Sequence, residues 1–314
     1  MAHALSHDPS WPRTGAWPSP GADERVDLAV IGVPTSRTSL SPSRAHETPT
    51  AVREALRRYS SHVVGTAQPG TRGDEAETVL DEALRIVDAG DCADPDSEAG
   101  EEAATRAIAA LAERAELVVA LGGDNALTVP AALGIAGTRL PHAGLITFDA
   151  HHDLRDGRSN GSPVRRLVEA GLDPRRIVQI GIADFANSRT YRRRAKELGV
   201  TVIHRDELHQ RALPDVVAEA LDIAGAGGGP VHVDLDVDVC DRSIAPGCPA
   251  SLPGGLQAHE IRRAARLLAA DARVRGIDIA EVDAAADAPD GRTVRLAALL
   301  VLEAAAGLAQ RLGR

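Results

Sequence analysis

Two short stretches of the chain carry the residue types from which a metal centre is built. The first is Phe148-Asp149-Ala150-His151-His152-Asp153. The residues just before it, 143–147, are apolar or small and read as a buried parallel strand. In extended backbone alternate side chains share a face, so Asp149, His151 and Asp153 emerge together where the strand runs out. Two carboxylates and an imidazole converging on one point suit a divalent cation, and without one they crowd like charges together.

The second stretch is Val231-His232-Val233-Asp234-Leu235-Asp236-Val237-Asp238-Val239-Cys240-Asp241. It alternates acid with apolar residues, which puts Asp234, Asp236 and Asp238 on one face. Taken alone it also fits an edge strand with a solvated acidic face, because unpaired buried carboxylates are disfavoured. Beside the first cluster, a shared metal site explains it better. Alternation leaves the register open: Asp234 with Asp236 would serve as well as Asp236 with Asp238.

The elements that must position these residues follow from the rest of the pattern. Short apolar runs at 27–33, 84–89, 117–121, 144–148, 177–182, 200–203, 231–235 and 277–282 predict strands. Helical segments are predicted near 50–59, 101–114, 127–135, 163–170, 188–198, 214–225, 257–270 and 293–311. Strand and helix alternate over the whole length, which predicts one parallel sheet covered on both faces. Thr48-Pro49 and Ser188 read as helix starts, and Gly171 and Gly199 as helix ends. In such sheets sites form at the carboxyl ends of strands. Gly122-Gly123-Asp124-Asn125, Asp149 to Asp153, Asp236 to Asp241 and Glu281 all fall there. Residues 1–22, rich in Pro, Ser, Gly and His, predict a flexible arm that packs Trp11 and Trp17 on the body, leaving 23–314 as a single catalytic domain. The loops 35–48 and 153–163 are long enough to be functional, and both sit on the same rim.

Composition narrows the function. The net charge of −10 comes with no basic stripe, and there are only two each of Phe, Tyr and Trp, so neither a phosphate-tracking nor a base-stacking surface is expected and nucleic acid is excluded as the main partner. No apolar run reaches the roughly 18 residues of a membrane span, and no membrane partner is expected. The start lacks a signal-peptide pattern, and Cys92, Cys240 and Cys248 lack paired metal-ligand spacing, which fits a reduced cytoplasmic protein. Lys196 is the only lysine, so any one arginine near a motif is weak evidence of anion binding.

Taken together, the segments resemble the ureohydrolase family of arginase, agmatinase and formimidoylglutamase. The resemblance rests on Val30-Ile31-Gly32-Val33-Pro34, Thr48-Pro49-Thr50-Ala51-Val52-Arg53, Leu121-Gly122-Gly123-Asp124, Asp149-Ala150-His151-His152-Asp153, Asp236-Val237-Asp238 with Asp241 and Pro246-Gly247, and Glu281-Val282. It implies a three-layer α/β/α sandwich with a central, mainly parallel sheet of about eight strands and a site for two Mn2+ ions. It implies hydrolysis of an amidine or guanidine C–N bond by hydroxide formed between the ions, and a homo-oligomer, trimer or hexamer. Carried over by position, Asp149 and Asp236 bridge the metals, Asp153 completes one ion, and His151 and Asp238 the other. Asp153 is then placed to carry a proton to the leaving nitrogen, and Glu281 to hold the substrate's cationic end. The family offset to the following Asp and Pro-Gly favours Asp236 and Asp238 over Asp234. Two departures stand out. Asn125 replaces a histidine ligand, so one ion is expected to be weak or absent. Asn160 replaces a proton-shuttling histidine, leaving it to orient substrate.

The loop 156–166 and the stretch Thr35-Ser36-Arg37-Thr38-Ser39-Leu40 offer guanidinium and hydroxyl groups at the presumed mouth. Arginine forks suit carboxylates, so Arg37, Arg155 and Arg158 are candidate contacts for a dicarboxylate such as N-formimidoyl-L-glutamate, whose hydrolysis gives glutamate and formamide. Agmatine or a guanidino acid is the alternative substrate. A catalytically weak regulatory or scaffold homologue is the alternative of another class, motivated by Asn125 and Asn160.

Overall fold

The computed structural model describes residues 8–64 and 77–314. In chain order the elements are β1 (Val26–Val33), α1 (Thr48–Leu56), β2 (His62–Val64), β3 (Glu77–Val79), α2 (Leu80–Ala83), β4 (Ile86–Asp91), α3 (Glu98–Ala112), β5 (Ala115–Gly122), α4 (Thr128–Ala136) and β6 (Gly144–Phe148). They continue with α5 (Pro163–Ala170), β7 (Ile177–Ile182), α6 (Arg189–Leu198), β8 (Thr201–His204), α7 (Leu213–Gly225), β9 (Val231–Asp236), α8 (Ala258–Ala269), β10 (Val274–Ala280) and α9 (Arg292–Arg311).

Eight strands form one parallel sheet in the order β4-β1-β5-β10-β9-β6-β7-β8, and each predicted run became one of them. The runs were legible because both faces of the sheet are covered, so both sets of alternating side chains must be apolar. In β1, Leu28 and Val30 belong to the core on the face that α1, α7, α8 and α9 cover, whereas Ala29 and Ile31 belong to the core shared with α3 and α4. Further along the sheet, Leu145 and Ile177 meet α4, α5 and α6. Each such wholly buried aliphatic side chain contributes about 1.5–3 kcal/mol. The result is the three-layer α/β/α sandwich.

Several local expectations are corrected. Thr48 is the first residue of α1 rather than its cap, and its hydroxyl instead donates to the Val282 carbonyl, tying the helix to the chain beyond β10. The antiparallel pair β2 and β3 and the one-turn α2 were not anticipated; they are short and mostly exposed, and carry no periodic signal. α9 is the one described helix of membrane-spanning length, but it carries Arg295 and Glu303, 78% of its most apolar stretch lies buried inside the protein, and it packs mainly on α8 and α1 as a core helix. Ser188 caps α6 by accepting from Tyr191 N–H, and Gly171 and Gly199 close α5 and α6 in the left-handed conformation, as their positions predict. Trp17 donates to Asp81 Oδ1 at 2.8 Å and packs on the core, while Trp11 stays 54% exposed.

Candidate metal centre and active site

At the carboxyl end of the sheet, β6, β9, β10 and β5 stop side by side, and residues at the ends of the first three line a common cavity of about 410 Å3. The loop after β6 is held from several directions. Asp149 N–H donates to the Ile180 carbonyl at 3.0 Å, Ala150 N–H to Asp238 Oδ1 at 2.8 Å, and His151 N–H back to Asp149 Oδ1 at 2.6 Å. Its last residue, Asp153, sits at φ +52°, and Glu281 after β10 at φ +63°. Neither is a glycine. Such backbone costs about 1–3 kcal/mol per residue and persists where the surroundings fix it, commonly at functional sites.

β9 ends at Asp236, which then caps a short turn, Val237–Val239, by accepting from Asp238 N–H at 2.8 Å. The turn breaks the alternation and aims Asp238 at His151, whose Nδ1 lies 2.6 Å from Asp238 Oδ2 and 3.5 Å from Asp149 Oδ1. Asp236 and Asp238 line the cavity. Asp234 lies below them in the sheet, opposite Thr147 of β6 and Asp278 of β10, so where the strand stops brings Asp236 and Asp238, and not Asp234, to the cavity.

One ligand atom from each of Asp149, His151 and Asp238 falls within 4.8 Å of the others. Asp149 Oδ2 is buried and has no hydrogen-bond partner. A hard oxygen set with one imidazole and an orphaned buried carboxylate oxygen fits a divalent cation of the manganese type. Asp153 and Asp236 lie on the same cavity wall, both buried.

The electrostatics agree. Burial first, then the charge of Asp238, pushes Asp149 up to about 7. Burial and the neighbouring Asp149 push Asp153 well above the usual carboxylate range, and burial with Asp238 does the same to Asp236. Burial acts to raise Asp238 too, but His151 outweighs it and Asp238 lies low. Burial would lower His151, yet the two carboxylates push it up to about 12. A cation at Nδ1 therefore competes with a proton, and its binding would release one. Glu281 is pushed up to about 8 by burial and then by Asp124.

Asn125, at the end of β5, connects several of these groups. Its backbone N–H donates to Glu281 Oε1 at 2.8 Å and its Nδ2 to Asp153 Oδ2 at 2.6 Å, while its Oδ1 accepts from the Thr128 hydroxyl at 2.7 Å. It therefore stands next to the ligand group, hydrogen-bonded to Asp153. Asn160 donates from Nδ2 to Glu281 Oε1 at 2.7 Å, and its Oδ1 accepts from Leu40 N–H at 3.0 Å, so it joins both long loops to the strained glutamate. Gly123 lets the strand end pass under the first loop: a Cβ there would lie 2.2 Å from the Thr35 carbonyl oxygen.

The three arginines separate. Arg155 lines the cavity, with its guanidinium carbon 5.9 Å from the centre of the Tyr191 ring, against which Arg194 also packs at 5.7 Å. Arg37 pairs with Asp94 and Arg158 with Glu101 at 3.1 Å; neither lines the cavity. Each acidic partner lies 57 residues away in sequence, which no local pattern reveals. His152, inside the first motif, turns away to Gln179 Oε1 at 2.7 Å. The hydroxyl of Ser39 lines the cavity, as expected of the first long loop, while sequence reasoning missed Asn187, Tyr191, Ser41 and Ser43 as cavity walls. One signal was available: the chain has only three asparagines, Asn125, Asn160 and Asn187, and all stand at this site.

Comparison with known proteins places these features in context. The sequence model of the arginase family matches residues 26–307. A formimidoylglutamase of Halalkalibacterium halodurans is 34% identical over 294 residues, which cover 90% of this chain and 88% of that protein. The crystal structure of formimidoylglutamase from Bacillus subtilis superposes with a TM-score of 0.85 at 30% identity, covering 98% of this chain and 95% of the other. A Trypanosoma cruzi formiminoglutamase, crystallised with Mn2+, has the same fold, with a TM-score of 0.81, 23% identity and coverage of 96% and 99%.

Proposed function

The chain belongs to the arginase family, and from that premise we propose that it hydrolyses the amidine C–N bond of N-formimidoyl-L-glutamate, giving L-glutamate and formamide, with manganese as its cofactor. The observation that carries the reading is the convergence of Asp149, His151 and Asp238 beside a cavity whose lining includes one guanidinium, that of Arg155. The cavity's acids are the buried Asp153, Asp236, Asp238 and Glu281. A dicarboxylate substrate finds its cation in Arg155 and hydroxyl donors in Ser39, Ser41 and Ser43, whereas the cationic tail of agmatine would meet a guanidinium and no acid among the exposed lining residues.

Asp149, His151, Asp153, Asp236 and Asp238 would hold two ions, with Asn125 a poor additional ligand because its carboxamide oxygen already accepts from Thr128. Bound there, divalent ions supply Lewis acidity and lower the pKa of water, so that hydroxide is available near neutral pH. The remaining work falls to the protein's own groups. Glu281, fixed by Asn125 and Asn160, accepts a hydrogen bond from the cationic nitrogen of the amidine and orients its carbon. Asp153, beside the ligand cluster, takes the proton given up by water and passes it to the departing amine. Arg155 anchors a carboxylate of the glutamate moiety. Free cysteines at Cys92, Cys240 and Cys248 accord with a reducing, cytoplasmic setting.

Steady-state kinetics on N-formimidoyl-L-glutamate, agmatine and 4-guanidinobutyrate test the assignment. The expected result is a kcat/KM about 10- to 100-fold higher for the first, since one charge-assisted carboxylate contact is worth about 1.5–3 kcal/mol. Equal or better turnover of agmatine would overturn it.

A further inference from the structure

Behind the site lies a buried support that the reaction scheme above leaves unused. Thr128, the first residue of α4, is wholly buried, as are Asn125 and Asp278. The Thr128 hydroxyl carries one hydrogen and has two acceptors in reach, Asn125 Oδ1 at 2.7 Å and Asp278 Oδ1 at 3.4 Å. The nearer acceptor takes it. Asp278 is itself anchored through Oδ2 to His232 Nε2 at 2.7 Å, so the support is tied across β9 and β10 and into α4.

A carboxamide can present either its NH2 or its oxygen to a neighbour with almost the same shape, and only the hydrogen-bond partners choose between them. With its oxygen occupied by Thr128, Asn125 turns Nδ2 toward Asp153 Oδ2 at 2.6 Å. Asp153 stands on left-handed backbone, which persists only where the surroundings hold it, and the Asn125 amide is one of the groups that does so. No water can replace the Thr128 hydroxyl without opening the packing of α4, because the site is closed.

We propose that Thr128 is a positioning residue: its hydroxyl fixes the Asn125 carboxamide as a hydrogen-bond donor to Asp153, and so holds that carboxylate at the angle from which it exchanges protons with water and the leaving group. Thr128 touches neither substrate nor reacting atoms. The effect on turnover rests on the proposed hydrolysis; the hydrogen-bond claim does not.

The test uses the full-length protein labelled with 15N-asparagine in magnesium buffer, which keeps the spectrum diamagnetic. Three side-chain amides are expected, from Asn125, Asn160 and Asn187, and single substitutions assign them. Hydrogen exchange at the Asn125 side-chain amide should be at least about tenfold faster in Thr128→Val than in the parent, the scale of one lost buried hydrogen bond. Thr128→Ser should restore the parent rate. With substrate, Thr128→Val should lower kcat about tenfold while KM stays within about twofold, the pattern of a group that acts only on the reacting step. Thr128→Ala repeats both measurements if valine crowds the buried position. An exchange rate within about twofold of the parent in a folded Val or Ala variant overturns the proposal. The exchange result stands whatever substrate the protein turns over, so failure of the assigned reaction and failure of this inference are separately visible.

Discussion

Asp149 offers the sharpest link between stability and function. It is completely buried, one of its oxygens has no partner, and burial with the neighbouring Asp238 raises it from the ordinary 3.8 to about 7. A raised carboxyl pKa means that the folded chain binds the proton more tightly than the unfolded chain. Stability at this group is therefore undiminished below the unfolded value, falls as pH rises between 3.8 and about 7, and is lowest above that window. At about 1.4 kcal/mol per pH unit the full penalty is about 4 kcal/mol at most. Asp149→Asn removes the charge, and its amide oxygen still accepts from His151 N–H. It also loses an ion pair with His151 at 3.5 Å, but His151 keeps its nearer partner, Asp238, at 2.6 Å. We therefore expect the chelated variant to be more stable than the chelated parent by about 1–3 kcal/mol at pH 8, a Tm rise of roughly 2–6 °C. The difference should vanish near pH 4. Manganese at 100 times its Kd should stabilise the parent by about 2.7 kcal/mol and the variant by far less. Thermal unfolding with EDTA and with manganese, at both pH values, measures all of this. A variant less stable than the parent when chelated at pH 8, or equally stabilised by manganese, would refute the reasoning.

Three further outcomes can be checked directly. Arg155→Ala should raise KM for N-formimidoyl-L-glutamate about 10- to 100-fold with kcat little changed, because one charge-assisted carboxylate contact of about 1.5–3 kcal/mol is lost; steady-state kinetics decide it. Glu303, 6% exposed, accepts from Arg262 at 2.9 and 2.7 Å and from Arg266 at 2.6 Å, so Glu303→Ala should cost about 2–4 kcal/mol in urea unfolding, both arginines losing a common partner. Gly123→Ala forces a Cβ against the Thr35 carbonyl and should destabilise by about 1–3 kcal/mol while moving Asn125, visible as a larger loss of kcat than of unfolding free energy.

The sheet was readable from the chain because every strand is buried on both faces, which makes each an apolar run bounded by polar loops. Residues 62–64 and 77–79 had no such mark, since their pairing is short and partly exposed. At the site, period-two alternation correctly brings Asp149 and His151 to one end of a strand, yet it cannot anticipate that the chain turns at Val237 and brings Asp238 to His151. Local pattern is equally blind to long-range partners. Arg37, Arg155 and Arg158 look alike in sequence; what separates them is that Asp94 and Glu101 engage two of them, while Tyr191 stacks on the third. Thr48 follows the same rule, being drawn from a capping role by the Val282 carbonyl, more than two hundred residues away.

The central claim, that this cavity hydrolyses an amidine with the help of ions held by Asp149, His151 and Asp238, is tested most directly by one assay on the purified protein. N-formimidoyl-L-glutamate is supplied, and formamide and glutamate are followed before chelation, after EDTA and after manganese is restored. The account predicts equimolar release of both products, lost with EDTA and recovered with manganese. Undiminished turnover in EDTA, or no turnover with manganese bound, would contradict it.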